Sequence, residues 1–381
     1  MKVGVPRETL PGERRVALDP DTVAKLVSSG LEVLMEHGAG ESAFIPDSRY
    51  EASAARLVDV GALYAEADIT LKVQRPSLEE ADRLRQGTVL VSCLQPHSNL
   101  DLVRKLADRN VTSFSMEAVP RVTRAQSMDA LSSMSTIAGY KAVLLAASTH
   151  AKLFPMMVTA AGTLAPARTL ILGAGVAGLQ AIATARRLGA IVEAFDIRPA
   201  TKEQVESLGA RFIEVELGDK DTEDKGGYAK ELSEDSQART LETIRRRLKD
   251  ADIVITTALI PGKPAPLLIT EEMVREMNPG SVIVDLAAEA GGNCAVTQAG
   301  EEVLHHHITV LGPLNLPSTV PLHASQMYAR NVSTFLNHLL KDKSVHLDFD
   351  DVIIRDMCLT HEKQVLHEPT RKLLGVEEGS Q

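Results

Sequence analysis

The stretch Thr169-Leu170-Ile171-Leu172-Gly173-Ala174-Gly175-Val176-Ala177-Gly178 runs from apolar residues into three glycines spaced GxGxxG, and Asp196 stands 23 positions after Gly173. An apolar strand that delivers such a turn to the start of a helix is the layout of a dinucleotide-binding βαβ unit. The first glycine permits the tight turn, the second lets backbone approach a pyrophosphate, and the third lets helix pack close on strand. Val176, Leu179, Ile182 and Ala183 then keep helical spacing until Gly189 ends the helix. A second buried strand is expected over Ile191 to Phe195, carrying Asp196 to where a carboxylate accepts hydrogen bonds from the adenosine ribose. That carboxylate repels a 2′-phosphate, which favours NAD(H) over NADP(H). Arg198 argues the other way, because an arginine can serve a 2′-phosphate.

A chain of 381 residues exceeds one ordinary core and is expected to form two domains. Hydrophobic residues at 44% and charged residues at 24% are globular proportions. The formal net charge of −10 weighs against nucleic-acid binding, which needs clustered Lys and Arg. Arg245-Arg246-Arg247, on a helix expected from near Leu241, reads as a solvated face. Cys93, Cys294 and Cys358 are odd in number, widely spaced and without CxxC pairs, which points to a reducing compartment and no metal site. His305-His306-His307 precedes a strand; consecutive side chains there cannot converge on one ion, so a loop end is expected. The chain opens directly on the strand-like Lys2-Val3-Gly4-Val5-Pro6, and no signal peptide is expected. The most apolar stretch, Leu153 to Pro166, is interrupted by Pro155 and Gly162 and reads as a buried segment rather than a membrane span.

Strand-like runs alternate with helical segments, the pattern of parallel sheets with crossover helices. One series covers residues 2–5, 32–36, 68–73, 88–93 and 111–116; a second covers 169–172, 191–195, 211–215, 252–257, 281–286 and 308–311. Three runs rhyme between the series. Ala67-Asp68-Ile69-Thr70 matches Ala251-Asp252-Ile253-Val254, Gly87 to Val91 matches Gly280 to Val284, and Asn110-Val111-Thr112 resembles His307-Ile308-Thr309. The expected fold class is therefore α/β, with two Rossmann-like doubly wound parallel-sheet domains and a cleft between them. Leu322 to Leu340 has helical spacing beyond the last strand and reads as the chain returning to the first domain. The expected domains are residues 1–132 with 319–381, and residues 133–318, the second binding NAD(H).

Pro120 to Ser132 closes the first series and is dense in polar groups of fixed geometry. Arg121 offers planar donors, Gln126 a donor and an acceptor, Asp129 a carboxylate and Ser132 a hydroxyl, a kit suited to a carboxamide and sugar hydroxyls. Helix capping by Ser127 to Asp129 accounts for the same residues. Asp285, Glu289 and Asn293 follow a strand at the sheet edge where α/β proteins place ligands, and capping and substrate contact are both open for them. Between Glu214 and Thr240 the chain turns acidic and small, and Tyr228 after Gly226-Gly227 suits either a mobile flap or a solvated insertion.

Arg121 to Ser132, continuing into Met134-Ser135-Thr136-Ile137-Ala138-Gly139-Tyr140, resembles the signature loop of the NAD(H)-binding component, domain I or alpha-1 subunit, of proton-translocating nicotinamide nucleotide transhydrogenase. The resemblance continues through Phe154-Pro155-Met156-Met157, Gly173 to Ala185, Ala200 to Gly209, Gly226 to Glu231 and Thr256 to Pro266, and covers nearly the whole chain. It implies a chain that binds NADH and passes hydride to NADP⁺ on an NADP(H)-binding partner subunit, while a membrane-spanning subunit carries the proton channel. It also implies a homodimer. By this resemblance Arg121, Gln126, Asp129 and Ser132 position the nicotinamide and its ribose. Gly173, Gly175, Val176, Gly178, Asp196, Ile197 and Arg198 hold pyrophosphate and adenosine, Gly227 and Tyr228 belong to a mobile loop, and Leu259 lines the nucleotide site. With no anchoring segment before Gln381, the expectation is a cytoplasmic subunit associated peripherally with the inner face of the membrane through its partners.

Val3-Gly4-Val5-Pro6-Arg7-Glu8 and Arg15-Val16-Ala17-Leu18 are shared with alanine dehydrogenases, which supply the alternative reading. Arg15 and Lys72 align with residues that bind the substrate carboxylate there, but the catalytic histidine falls on Gln95, with His97 two positions away. Amine oxidation needs a titrating group beside the nicotinamide, and glutamine cannot titrate. Hydride transfer between two nicotinamides releases no proton and depends on positioning, for which Gln126 is the leading side chain.

Overall fold

In a computed structural model that describes residues 1–215, 233–260 and 263–375, the chain divides into two compact units, Met1–Met134 with Pro317–Gln381 and Ser135–Leu316. Unit 1 opens with β1 (Lys2–Val5), β2 (Glu32–Glu36), β3 (Arg56–Val58), β4 (Ile69–Leu71), β5 (Val89–Ser92) and β6 (Thr112–Ser115). These pair in parallel in the order β3-β2-β1-β4-β5-β6. Unit 2 contains a hairpin of β7 (Met157–Thr159) and β8 (Gly162–Leu164), followed by β9 (Arg168–Leu172), β10 (Ile191–Phe195), β11 (Arg211–Phe212), β12 (Ile253–Thr256), β13 (Val282–Asp285), β14 (Glu302–His305) and β15 (Ile308–Leu311). Its sheet runs β11-β10-β9-β12-β13-β15-β14. The chain then re-enters unit 1 with the Pro321–Leu339 helix, the short pair β16 (Leu340–Lys341) and β17 (Ser344–Val345), and finally β18 (Cys358–His361) and β19 (Gln364–Val365).

The two sheets share one topology. Each places its first strand beside its second and fourth, the doubly wound order that creates a reversal point at the carboxyl ends of the strands. The rhymes in sequence follow from this equivalence: they fall on the fourth strands β4 and β12, the fifth strands β5 and β13, and the last parallel strands β6 and β15. Each last parallel strand also carries an antiparallel neighbour, β18 on β6 and β14 on β15. β18 lies between β6 and β19, whereas β14 forms the edge of its sheet and escapes a search for apolar runs because an edge faces one neighbour only, so its residues need not be apolar throughout. Glu302-Val303-Leu304-His305 is such a case.

Central strands read as unbroken apolar runs because both faces of a parallel sheet are covered. In β5, Val89 and Val91 join one core layer while Leu90 joins the other. The first layer receives Tyr328, Ala329, Val332, Phe335, Leu336 and Leu339 from the Pro321–Leu339 helix. The returning segment is thus integral to the unit 1 core: Phe335 packs on Phe114 with ring centroids 5.1 Å apart, and Tyr328 Oη donates to the Lys72 carbonyl oxygen at 2.7 Å. Unit 2 repeats the arrangement, with Ile253, Ile255, Val282 and Val284 on one face of the sheet and Val254 and Ile283 on the other.

One expectation is overturned. Leu153 to Pro166 is not a buried segment but the β7–β8 hairpin, with Met156 60%, Val158 75% and Leu164 53% exposed. Pro155 and Gly162 keep the segment from forming a helix, and among the described residues its two strands pair only with each other, so no sheet face covers their apolar side chains. Among the described residues, the helix long and apolar enough to span a membrane by length and composition is Ala130–Thr149 instead, a criterion that core helices also meet. The arginine run lies on a helix that begins at Glu234, seven residues before Leu241, where Ser233 caps it through its side chain. Arg245 pairs with Glu276, Arg246 with Glu242 and Arg247 with Glu193. His306 and His307 form the two-residue β14–β15 turn, both at positive φ, and no metal-binding group of His, Cys, Asp or Glu occurs among the described residues.

If the returning helix completes the unit 1 core, Phe335→Ala should destabilise that unit by about 3–5 kcal/mol. Chemical denaturation followed by circular dichroism would register this as an earlier unfolding transition, and an unshifted curve would place the helix outside the core.

Candidate functional site

The glycine-rich turn sits at the carboxyl end of β9, beside the ends of β10 and β12. Gly173 has φ +100°, a conformation that disfavours any Cβ. At Gly178 the restriction is contact: a Cβ there would stand 1.9 Å from the Gly173 carbonyl oxygen. The Val176–Arg187 helix therefore sits directly on the turn. Its N-cap, Gly175, provides no side-chain cap, so the first-turn amides keep their donor capacity at the positive end of the helix.

Asp196 reaches this turn from β10. Its Oδ2 accepts the Ala174 amide at 2.7 Å and Arg198 Nη2 at 2.7 Å, while Oδ1 accepts the Arg198 amide and Nε, both at 2.9 Å. Asp196 and Arg198 side chains are only 5% and 16% exposed. Four donors meet a carboxylate with about four acceptor positions, so a ribose hydroxyl must share an oxygen or displace Arg198. The same pairing neutralises the guanidinium that a 2′-phosphate would need. Ile197 is partly buried in the adjoining core, whereas Val176 and Leu259 are 42% and 46% exposed. Gly227 and Tyr228 lie outside the described residues.

Thr257, just past β12, was not identifiable from the sequence as part of this turn. Its amide donates to the Leu172 carbonyl at 2.8 Å and its Oγ1 to the Gly173 carbonyl at 3.0 Å, holding the turn from beneath. Only strand order brings this hydroxyl to the turn, 84 residues away in sequence. Asp285 and Asn293 belong to the same support. Asp285, fully buried, accepts from Thr256 Oγ1, the Ala287, Asn293 and Cys294 amides and Thr297 Oγ1. Asn293 in turn bonds both the amide and the carbonyl of Ala258 and the carbonyl of Pro266. Glu289 accepts the Asn315 amide at 3.0 Å. Asp285 and Asn293 thus order the strand-end loops beside the turn.

The polar loop lies in unit 1 as a 3₁₀ helix, Thr123–Met128. Ala125 and Met128 are buried three residues apart, the repeat of a 3₁₀ turn, and this leaves Gln126 exposed between them. Asn331 of the returning helix donates to the Ser127 carbonyl at 2.9 Å, and Arg124 pairs with Asp351. Asp129 caps the Ala130–Thr149 helix: its carboxylate accepts the Ser132 amide at 2.8 Å and Ser132 Oγ at 2.6 Å. Arg121 is exposed.

Unit 1 also buries charge at the carboxyl edge of its sheet. Arg15 grips Glu13 through Nε at 2.7 Å and Nη2 at 2.6 Å, and Lys72 binds Glu80 at 2.9 Å with its side chain 1% exposed. Glu8, 3% exposed, accepts the Val73 amide at 2.6 Å but lies 3.6 Å from Lys72. Three carboxylates thus meet two cations, and the least well paired holds a proton most readily: burial raises Glu8 from its ordinary 4.5 to about 7 against the pull of Lys72. Glu13, Arg15, Tyr64, Cys93 and Tyr328 also couple to it. Gln95, at φ +47° and exposed, donates its amide to Glu117, whose carboxyl burial also raises.

Residues 4–138 match the model of the alanine dehydrogenase/PNT N-terminal domain, and residues 142–368 that of the C-terminal domain. The chain belongs to the alanine dehydrogenase/PNT family. Within this family it is 48% identical over 376 residues to the first part of NAD(P) transhydrogenase subunit alpha of Rhodospirillum rubrum, covering 96% of this chain and 98% of that one. The crystal structure of a transhydrogenase from Sinorhizobium meliloti superposes with a TM-score of 0.88 at 44% identity, covering 96% of this chain and all of the other. Alanine dehydrogenase 2 of Staphylococcus aureus is 31% identical over 329 residues, covering 84% of this chain and 82% of its own. The family's two domain models follow the chain through both sheets, and the resemblance found in the sequence stands at family level.

Gly178→Ala should force the helix off the turn, destabilising unit 2 by about 1–3 kcal/mol; an unchanged denaturation midpoint would mean that the turn yields freely. The raised Glu8 pKa favours the native state at low pH, so its contribution is complete below pH 4.5 and disappears as pH rises through about 7. Across that window unit 1 should lose roughly 3 kcal/mol, and Glu8→Gln should flatten the loss. A stability profile equally steep in both proteins would assign the proton elsewhere.

Proposed function

We propose that the chain is the NAD(H)-binding subunit of a proton-translocating transhydrogenase, an oxidoreductase in which hydride passes from NADH held here to NADP⁺ held by a partner subunit. A membrane-spanning subunit couples this exchange to proton movement, and the chain works at the inner face of the membrane through these partners. The observation that carries the reading is the turn at Gly173 to Gly178, where uncapped helix amides and the Asp196 carboxylate meet at the ends of β9 and β10.

Gly173, Gly175, Val176 and Gly178 cradle the pyrophosphate at the helix N-terminus, and Asp196, Ile197 and Arg198 hold the adenosine. The neutralised guanidinium of Arg198 supports NAD(H) over NADP(H). Leu259 lines the nucleotide, and Gly227 and Tyr228 belong to the loop that covers it. Arg121, Gln126, Asp129 and Ser132 position the nicotinamide and its ribose, with Asp129 and Ser132 already locked to each other and Gln126 exposed.

Bound NADH supplies the hydride, and the exchange with NADP⁺ leaves no proton to be moved by a side chain. The residues of this chain accordingly bind, orient and exclude water. The alanine dehydrogenase alternative is weakened at three points. Gln95 cannot titrate, and a substrate carboxylate would have to displace Glu13 from Arg15 and Glu80 from Lys72. Closer similarity to the transhydrogenase chains supports the same choice. The exposed apolar side chains of the β7–β8 hairpin support the homodimer, since such a surface favours burial against a second chain.

Alone, the purified chain should bind NADH and show no alanine-dependent NAD⁺ reduction; mixed with an NADP(H)-binding subunit it should reduce NADP⁺ with NADH. Gln126→Asn should retain near-native NADH affinity while slowing hydride transfer on the order of tenfold. Alanine oxidation by the lone chain would reverse the assignment, and parallel losses of affinity and rate would remove Gln126 from the positioning role.

A further inference from the structure

The polar loop of unit 1 is held by groups that the nucleotide reading does not use, all supplied by the segment that returns after unit 2. Its 3₁₀ helix, Thr123–Met128, runs for 6 residues, long for a type whose hydrogen bonds align poorly, and Val122 gives it no side-chain cap. The conformation of the loop therefore depends on its surroundings. Beyond the buried Ala125 and Met128, two polar anchors hold it, and they bracket Gln126.

On one side, Arg124 Nη1 donates to Asp351 Oδ2 at 3.3 Å and Nη2 donates to Oδ1, a two-point grip that fixes direction as well as distance. Asp351 is itself tied down. His338 Nε2 lies 2.6 Å from Oδ2, the Ile353 amide donates to Oδ1 at 3.0 Å, and the carboxylate is only 14% exposed. On the other side, Asn331 Nδ2 donates to the Ser127 carbonyl at 2.9 Å. Asn331 is buried and its Oδ1 has no partner among the described residues, so as a filler of the core it is costlier than an apolar side chain of its size. Its bond to the loop offsets that cost.

We propose that Asn331 and Asp351 are positioning residues for hydride transfer, fixing the backbone on both sides of Gln126 and so setting where its exposed carboxamide projects. The inference rests on the role of Gln126 in the transhydrogenase reading. Asn331 acts through the Ser127 carbonyl and Asp351 through the Arg124 guanidinium.

Two variants separate the anchors from the fold. Asn331→Leu removes the bond at nearly constant volume, and Asp351→Asn keeps an oxygen for the Ile353 amide while removing the charge that grips Arg124. With an NADP(H)-binding subunit present, each full-length variant should transfer hydride on the order of tenfold more slowly at saturating nucleotide, with NADH affinity within about twofold of native. Arg124→Gln should match Asp351→Asn, and combining the two should add no further loss, because they act as a pair. Hydrogen exchange of the lone chain gives a readout free of chemistry: the Ala125 and Asp129 amides, bonded to the Val122 and Gln126 carbonyls, should exchange faster in the variants. The Asp351 and Arg124 variants decide the matter if Asn331→Leu does not fold. A mixture inactive without any substitution would overturn the transhydrogenase reading and this role with it. Where the unsubstituted mixture is active, native rates in the variants, affinity lost in step with rate, or unchanged exchange would each overturn the positioning role alone.

Discussion

The Val176–Arg187 helix seats itself on the Gly173 carbonyl so closely that position 178 has no room for a Cβ. Much of the geometry of unit 2 depends on that contact. It aims the uncapped end of the helix past the carboxyl ends of β9 and β10, and places the Ala174 amide against Asp196. Thr257 then holds the Gly173 carbonyl from the neighbouring strand end. Asn293 fixes Ala258, and Asp285 fixes the Asn293 amide, so the support extends through the loops of two further strands. A buried carboxylate with five donors is costly to disturb, which makes this floor rigid.

Unit 1 uses the same strand order for a different edge. Where unit 2 presents a glycine turn, unit 1 presents Glu8, Glu13, Arg15, Lys72 and Glu80 in buried ion pairs. Such pairs gain their attraction only by losing hydration, and the unequal count leaves Glu8 as the member that takes a proton. Arg15 and Lys72 are thereby held by the protein's own carboxylates. The core beneath them is closed by a helix that the chain supplies only after completing unit 2.

Legibility followed physical setting. Central strands such as β5, β12 and β13 were readable because burial on both faces demands continuous apolar runs. β3, β14 and β18 lie at or near an edge, where that demand relaxes. Leu153 to Pro166 misled for the converse reason: apolar composition signals contact with something, and among the described residues β7 and β8 pair only with each other. The helix start at Glu234 depends on Ser233 as a cap, a local signal hidden beside an acidic, polar stretch. For the site, the glycines and Asp196 stood out because spacing alone marks them, while Thr257 and the closure of Asp196 by Arg198 did not.

The sequence by itself determined the strand and helix grammar, the doubly wound class, the family and the turn at Gly173, because each rests on short-range spacing that any chain segment carries with it. Tertiary structure alone decided which hydroxyl lies under that turn, which cation occupies Asp196, and which carboxylate is left over beside Lys72. It also decided that Asn331 and Asp351 anchor the loop on either side of Gln126. These are contests between groups distant in sequence, and their outcome depends on distances of a few ångströms that exist only once strands are ordered and faces are covered.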